Sequence, residues 1–270
     1  MSISKAILTS NVNRVAGLFL VVASAVQAAP ITWDSPAQIS GDSDISIDGA
    51  LVGAYNLGGM TTTVNGVTFR EFAVPSAPPA VMSVTVDTFY TIALQSFEHD
   101  PQTLAAFATS SANTPFSALS PGYQSLLGTS AGQTFGDRTT VLTMAGLTVG
   151  QTYEFQAWGN DSGSSGSFSY GLFLGDGITG SDLDPNTARD ANTGDVVAGG
   201  LGQYILGTFT ADTISQQIQF GRSELGGGLN AFQLRAITPL QGSVPEPGIL
   251  LLTALGLAAL GWSRRNHALV

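Results

Sequence analysis

Hydrophobic and polar residues alternate along most of the chain in short runs, broken by Gly, Pro, Asn and Asp, a two-residue period that predicts strands. Residues 152–158 form the clearest run, with Tyr153, Phe155 and Ala157 on one face and Glu154, Gln156 and Trp158 on the other. Residues 231–236 repeat the pattern, setting Phe232 and Leu234 opposite Gln233 and Arg235. Further strands are predicted over 31–33, 50–56, 81–92, 167–174, 203–210 and 216–220. Asn65-Gly66, between Thr61–Val64 and Val67–Phe69, is the strongest hairpin signal, because a two-residue loop needs positive φ at both positions. Residues 103–131 read differently. Leu104, Ala105, Phe107 and Ala108 fall at helical spacings, as do Tyr123, Leu126 and Leu127 behind Ser120-Pro121, so one or two short helices are expected there. No fixed-period repeat is visible, which argues against a solenoid or propeller.

Both ends depart from alternation. Lys5 and Arg14 precede an apolar run, Val15 to Ala25, and Val26-Gln27-Ala28 offers the small residues a signal peptidase reads. Cleavage after Ala28 is expected, making residues 1–28 a signal peptide. At the other end, Pro245 and Pro247 keep the backbone extended, Ile249 to Trp262 is uncharged and apolar, and Arg264-Arg265 follows. As a helix that run spans about 21 Å against a hydrocarbon core of about 30 Å. Trp262 suits the membrane interface, the arginines can snorkel to headgroups, and no polar face is present. Terminal positive charge then leaves residues 266–270 cytoplasmic and everything before Pro245 outside.

Val244-Pro245-Glu246-Pro247-Gly248, the apolar helix and the arginine pair together resemble the PEP-CTERM signal of Gram-negative bacteria, read by a membrane-embedded exosortase. The resemblance covers residues 244–265. It implies processing near Pro245, Glu246 and Pro247, with Arg264 and Arg265 completing the signal and the ectodomain passing through an inner-membrane intermediate to the cell surface or extracellular matrix. Members of this group are often linked to exopolysaccharide and biofilm. A second, shorter resemblance lies in Leu147-Thr148-Val149-Gly150-Gln151-Thr152-Tyr153, which looks like the tyrosine corner of fibronectin-type sandwiches. There the tyrosine hydroxyl bonds back to the loop and pins a crossover between sheets. For residues 29–243 the expected fold is mostly β, an antiparallel, jelly-roll-like β-sandwich.

Composition narrows the chemistry. The formal net charge is −10, and the only Lys is Lys5, inside the leader, so a phosphate-backbone binder is excluded. Absence of Cys removes thiol catalysis and Cys-ligated zinc, and leaves an exported domain dependent on its core, on bound ions or on neighbours. Asp182, Asp184, Asn186 and Asp190 place oxygens at positions 1, 3, 5 and 9 of a calcium loop, but Thr187 and Thr193 replace its glycine and bidentate glutamate. A looser Ca²⁺ site there is the one cofactor candidate; Asp42, Asp44 and Asp48 make a weaker set. His99-Asp100 has no serine elbow to serve, because Gly163-Ser164-Ser165-Gly166 has the wrong spacing. Glu71, Glu98, Glu154 and Glu224 supply carboxylates from which a glycosidase would need two about 5–9.5 Å apart. Glu154, Gln156 and Trp158 could instead stack and hydrogen-bond a sugar. The expected protein is thus not an enzyme but a structural or polysaccharide-binding module. Its expected partners are signal peptidase, exosortase and extracellular polysaccharide, and a secreted glycan hydrolase is the alternative.

Overall fold

The computed structural model describes residues 29–73, 81–87, 90–96, 102–105, 114–133, 138–163, 171–222 and 227–237. The leader, the sorting tail, Glu98, His99, Asp100 and Glu224 lie outside these residues.

The described chain is mostly β. Its largest sheet runs β1 (Thr32–Trp33), β14 (Gln203–Thr210), β11 (Thr152–Gly159), β17 (Ala231–Ile237), β3 (Ala50–Leu57), β5 (Val67–Phe72) and β4 (Thr62–Val64), with β2 (Ala37–Gln38) also paired to β14. A second sheet runs β13 (Gly180–Leu183), β12 (Leu172–Gly175), β15 (Ser215–Arg222), β10 (Arg138–Ala145), β7 (Tyr90–Ser96) and β6 (Val81–Asp87). A third joins β16 (Gly227–Leu229), β9 (Thr129–Gln133) and β8 (Gln102–Ala105). The pairings are antiparallel except β3 with β5, which lie parallel.

Local chemistry explains the clearest elements. Asn65 (φ 48°) and Gly66 (φ 75°) supply both positive φ values of the β4–β5 turn, as their dipeptide predicts. Tyr153 Oη accepts from the Thr148 amide at 2.9 Å, pinning the chain where it leaves β10 in the second sheet for β11 in the first. Ser120 Oγ caps α1 (Pro121–Leu127) by accepting from the Tyr123 amide at 3.2 Å, and Pro121 occupies the first turn, where its missing N–H is harmless.

Three expectations need correction. Residues 102–105 form strand β8, paired to β9, so their helical spacing is overridden by tertiary pairing. Residues 81–92 do not make one strand: β6 and β7 pair as a hairpin. Strands β9, β10, β13 and β16 escape the alternation test. In β10 the reason is visible, since Thr140, Val141 and Leu142 are buried consecutively and the period of two is lost.

Two hydrophobic clusters flank the eight-stranded sheet. One gathers Tyr153, Phe155, Phe232 and Leu234 with Leu142, Met144, Leu174, Ile218 and Phe220 of the six-stranded sheet. Rings stack through it, Tyr55 on Phe232 at 5.3 Å and Phe232 on Phe155 at 5.8 Å. The other gathers Trp158, Phe69, Val64 and Ala231 with Ile39 and Ile45 of the preceding coil and with Phe116, Tyr123, Leu126 and Leu127 around α1. Because neighbouring residues of β11 and β17 divide between the two clusters, the centre of this sheet is buried on both faces.

Candidate functional site

The Glu154, Gln156, Trp158 row is where the sequence points most directly to a ligand, and it lies beneath a cover. Trp158 is 0 % exposed; its Nε1 donates to Tyr123 Oη at 2.9 Å, and its ring meets Phe69 edge-on at 5.4 Å. An open aromatic platform for a sugar is therefore corrected: the indole is occupied by α1 and β5. Burial pushes the Tyr123 hydroxyl well above its ordinary pKa, and the Asp44 carboxylate nearby adds to the rise.

Gln156, also fully buried, works as an internal connector. Its Oε1 accepts from the Ser46 amide at 2.9 Å and from Gln233 Nε2 at 2.7 Å, and its Nε2 donates to the Asp44 carbonyl at 2.6 Å. Gln233 Nε2 donates to the Ser46 carbonyl as well, at 2.9 Å. Arg235 continues the ladder: Nε donates to the Asp48 carbonyl, and one terminal nitrogen reaches the carbonyls of Ile47 and Gly49. Burial lowers the arginine's pKa, an effect opposed by the charges of Glu154 and Asp48. Glu154 accepts from Ser46 Oγ at 2.5 Å. Residues 46–49 have few backbone partners of their own; although Ile47, Asp48 and Gly49 are exposed, their carbonyls are taken up by Arg235, and the half-buried Ser46 backbone is taken up by Gln156 and Gln233.

Ser46, Gln233, Arg235 and Tyr123 thus complete a cluster that sequence reasoning saw only in halves. Alternation places Gln233 and Arg235 on a polar face, but their position beside Gln156 and Glu154 follows from the β11–β17 register, which pairs Gln156 with Gln233 and Glu154 with Arg235.

Three of the four calcium candidates are engaged in turn chemistry. Asp184 pairs with Arg189 at 2.5 Å and accepts from the Asn186 amide. Asn186, 2 % exposed, accepts from the Ala188 amide and donates to the Val197 carbonyl. Asp190 accepts from the amides of Asn192 and Thr193, donations that hold its pKa below the usual carboxylate range. Asp182 lies on β13 opposite Phe173. Among the described residues, no three His, Cys, Asp or Glu side chains converge to hold a metal ion. In the weaker set, Asp42 accepts from Ser120 Oγ at 2.6 Å and Asp44 from the amides of Ser40 and Gly41.

Of the four glutamates, Glu71 and Glu154 are described, and they do not pair. Their strands are separated by β17 and β3, about 14 Å across the sheet at ~4.8 Å per step. The registers offset them further along the strands, since Glu154 aligns through Arg235 with Leu51, whereas Glu71 aligns with Asn56. That separation exceeds what glycoside hydrolysis by either stereochemical course requires.

The fold and its inward-turned polar cluster define an acidic, cysteine-free β-protein with its polar chemistry spent on holding a covering segment. The functional assignment comes from the chain's end: residues 243–265 match the PEP-CTERM protein-sorting motif, so the chain carries the signal that marks exosortase substrates for export to the cell surface. No curated protein and no solved structure matches the chain. Among the described residues no helix is long and apolar enough to cross a membrane.

Proposed function

We propose that this chain is exported by a leader cut after Ala28, paused in the inner membrane by the helix of residues 249–262, and processed by exosortase near Pro245-Glu246-Pro247. The product is a β-sandwich ectodomain delivered to the cell surface or extracellular matrix. There it acts as a structural or polysaccharide-associated binding module in exopolysaccharide or biofilm. The observation that carries the reading is the match of residues 243–265 to the sorting motif. The sandwich rests on the hydrophobic cluster shared by the two larger sheets. A structural role is favoured by the Gln156–Gln233–Arg235 ladder, whose polar atoms are directed at the protein's own backbone.

The test is fractionation of the native host. With exosortase present, the ectodomain is expected in the surface or matrix fraction. Removing exosortase, or changing Pro245, Glu246 and Pro247 together to Ala, should strand it in the inner membrane. Equal surface delivery in all three strains would refute the proposal.

A further inference from the structure

The first described residues tie the two larger sheets together. Ile31 is 2 % exposed and belongs to the shared core. Its amide donates to Asp176 Oδ2 at 2.5 Å and its carbonyl accepts from Thr179 Oγ1 at 3.0 Å, both on the β12–β13 turn of the six-stranded sheet. Burial works to raise the Asp176 pKa, yet the bonds from Ile31, Thr179 and Ile178 leave it lowered. Thr32 and Trp33 then pair with β14 in the other sheet. Gly207 permits that docking, since a Cβ there would stand 2.7 Å from side-chain atoms of both Ile31 and Trp33. Two residues before Ile31, the Ala29 nitrogen lies 3.0 Å from Asp212 Oδ1, in the connection between β14 and β15.

Resting on the reading that the leader is cut after Ala28, we propose that the cut itself completes this clamp. Signal peptidase adds water across the Ala28–Ala29 bond, leaving a carboxylate on Ala28 and an ammonium on Ala29. The amide hydrogen bond to Asp212 thereby becomes an ammonium–carboxylate ion pair, and the processed domain gains a charged tether that the precursor lacks. Among the described residues, Asp212 accepts from the Ala29 nitrogen, Asp176 binds the Ile31 amide two residues further on, and Asp34 follows on the same segment. An α-ammonium ordinarily titrates near about 7.7–8.0, and an adjacent carboxylate favours its charged form.

Composition makes the group addressable. Lys5 lies in the leader and no other Lys exists, so the Ala29 ammonium would be the sole primary amine of the processed chain. The experiment uses protein processed in its own host, as native chain and as Asp212→Asn. Intact mass locates the first residue, and the rate of acetylation across about pH 6 to 10 gives the amine's midpoint. The expected native midpoint lies above the ordinary range and returns to it in Asp212→Asn. Acetylation should lower the native Tm by about 1–2 °C and leave Asp212→Asn unmoved. A chain beginning elsewhere than Ala29 overturns both the cleavage reading and the clamp. A chain beginning at Ala29, with an ordinary midpoint unchanged by Asp212→Asn, overturns the clamp and leaves the processing reading standing.

Discussion

At its centre the eight-stranded sheet is buried on both faces, yet the two are built from different chemistry. On one, Tyr153, Phe155, Phe232 and Leu234 meet the six-stranded sheet in an apolar cluster that depends on filling volume. On the other, beside the apolar cluster around Trp158, Phe69 and α1, Gln156, Gln233 and Arg235 lie under residues 44–49 and depend on matching donors to acceptors. An irregular segment brings its own unpaired backbone groups to the interface, so apolar residues alone could not cover a sheet with it. Polar alternation along a strand therefore marks a change of partner here, not contact with water.

Truncation should affect both faces most and about equally. Trp158→Ala and Phe155→Ala each remove a fully buried ring, and each is expected to cost ~3–5 kcal/mol in chemical denaturation. If Trp158→Ala proved neutral, the covered face would have to be open. The faces should separate under gentler changes. Gln156→Leu keeps the bulk but strands the Ser46 amide and the Asp44 carbonyl and removes one of the two acceptors of Gln233 Nε2, for a loss of about 2–4 kcal/mol, whereas Leu234→Met should cost less than ~1.5 kcal/mol. Equal losses from these two substitutions would erase the distinction.

Alkali probes one tyrosine in each cluster. Burial pushes Tyr55 up to about 12 despite the opposing charge of Arg70, and Tyr123 is raised well above its ordinary value by burial and then by Asp44. Unfolded tyrosine ionises near 10, so both hydroxyls favour the fold below about pH 10, and that stability is lost as pH rises toward and beyond 12. Between about pH 10 and 12 the urea midpoints should fall, less steeply in Tyr55→Phe and in Tyr123→Phe. Tyrosinate absorbance from either residue near pH 10 in a still-folded protein would contradict their burial. The smallest effect belongs to the crossover: Tyr153→Phe loses the bond from the Thr148 amide, worth ~1 kcal/mol by the same denaturation measurement.

Features set by neighbouring residues were legible in the sequence. The Asn65-Gly66 turn, the Ser120-Pro121 start of α1 and the tyrosine corner each arise from a few consecutive residues whose chemistry admits one local answer. Strand β14 was likewise predicted with its observed bounds. Features set by remote pairing were not. Leu104 and Ala105 carry a helical spacing that pairing with β9 overrides, and Thr140 to Leu142 lose alternation because adjacent residues are buried. The Trp158 face misleads for the same reason: nothing near it announces that the hydroxyl oxygen of Tyr123, thirty-five residues earlier, will accept from the indole N–H. The sorting signal was legible because proline, an apolar run and arginine act there as consecutive chemistry.

The central claim, that exosortase processes this chain, is tested most directly by intact mass of the native protein from hosts with and without exosortase. We predict a chain ending near Pro245 to Pro247 when the enzyme is present, and one retaining the helix and arginine pair when it is absent. A mass that keeps residues 249–270 in both hosts would contradict the account and make the tail a permanent anchor.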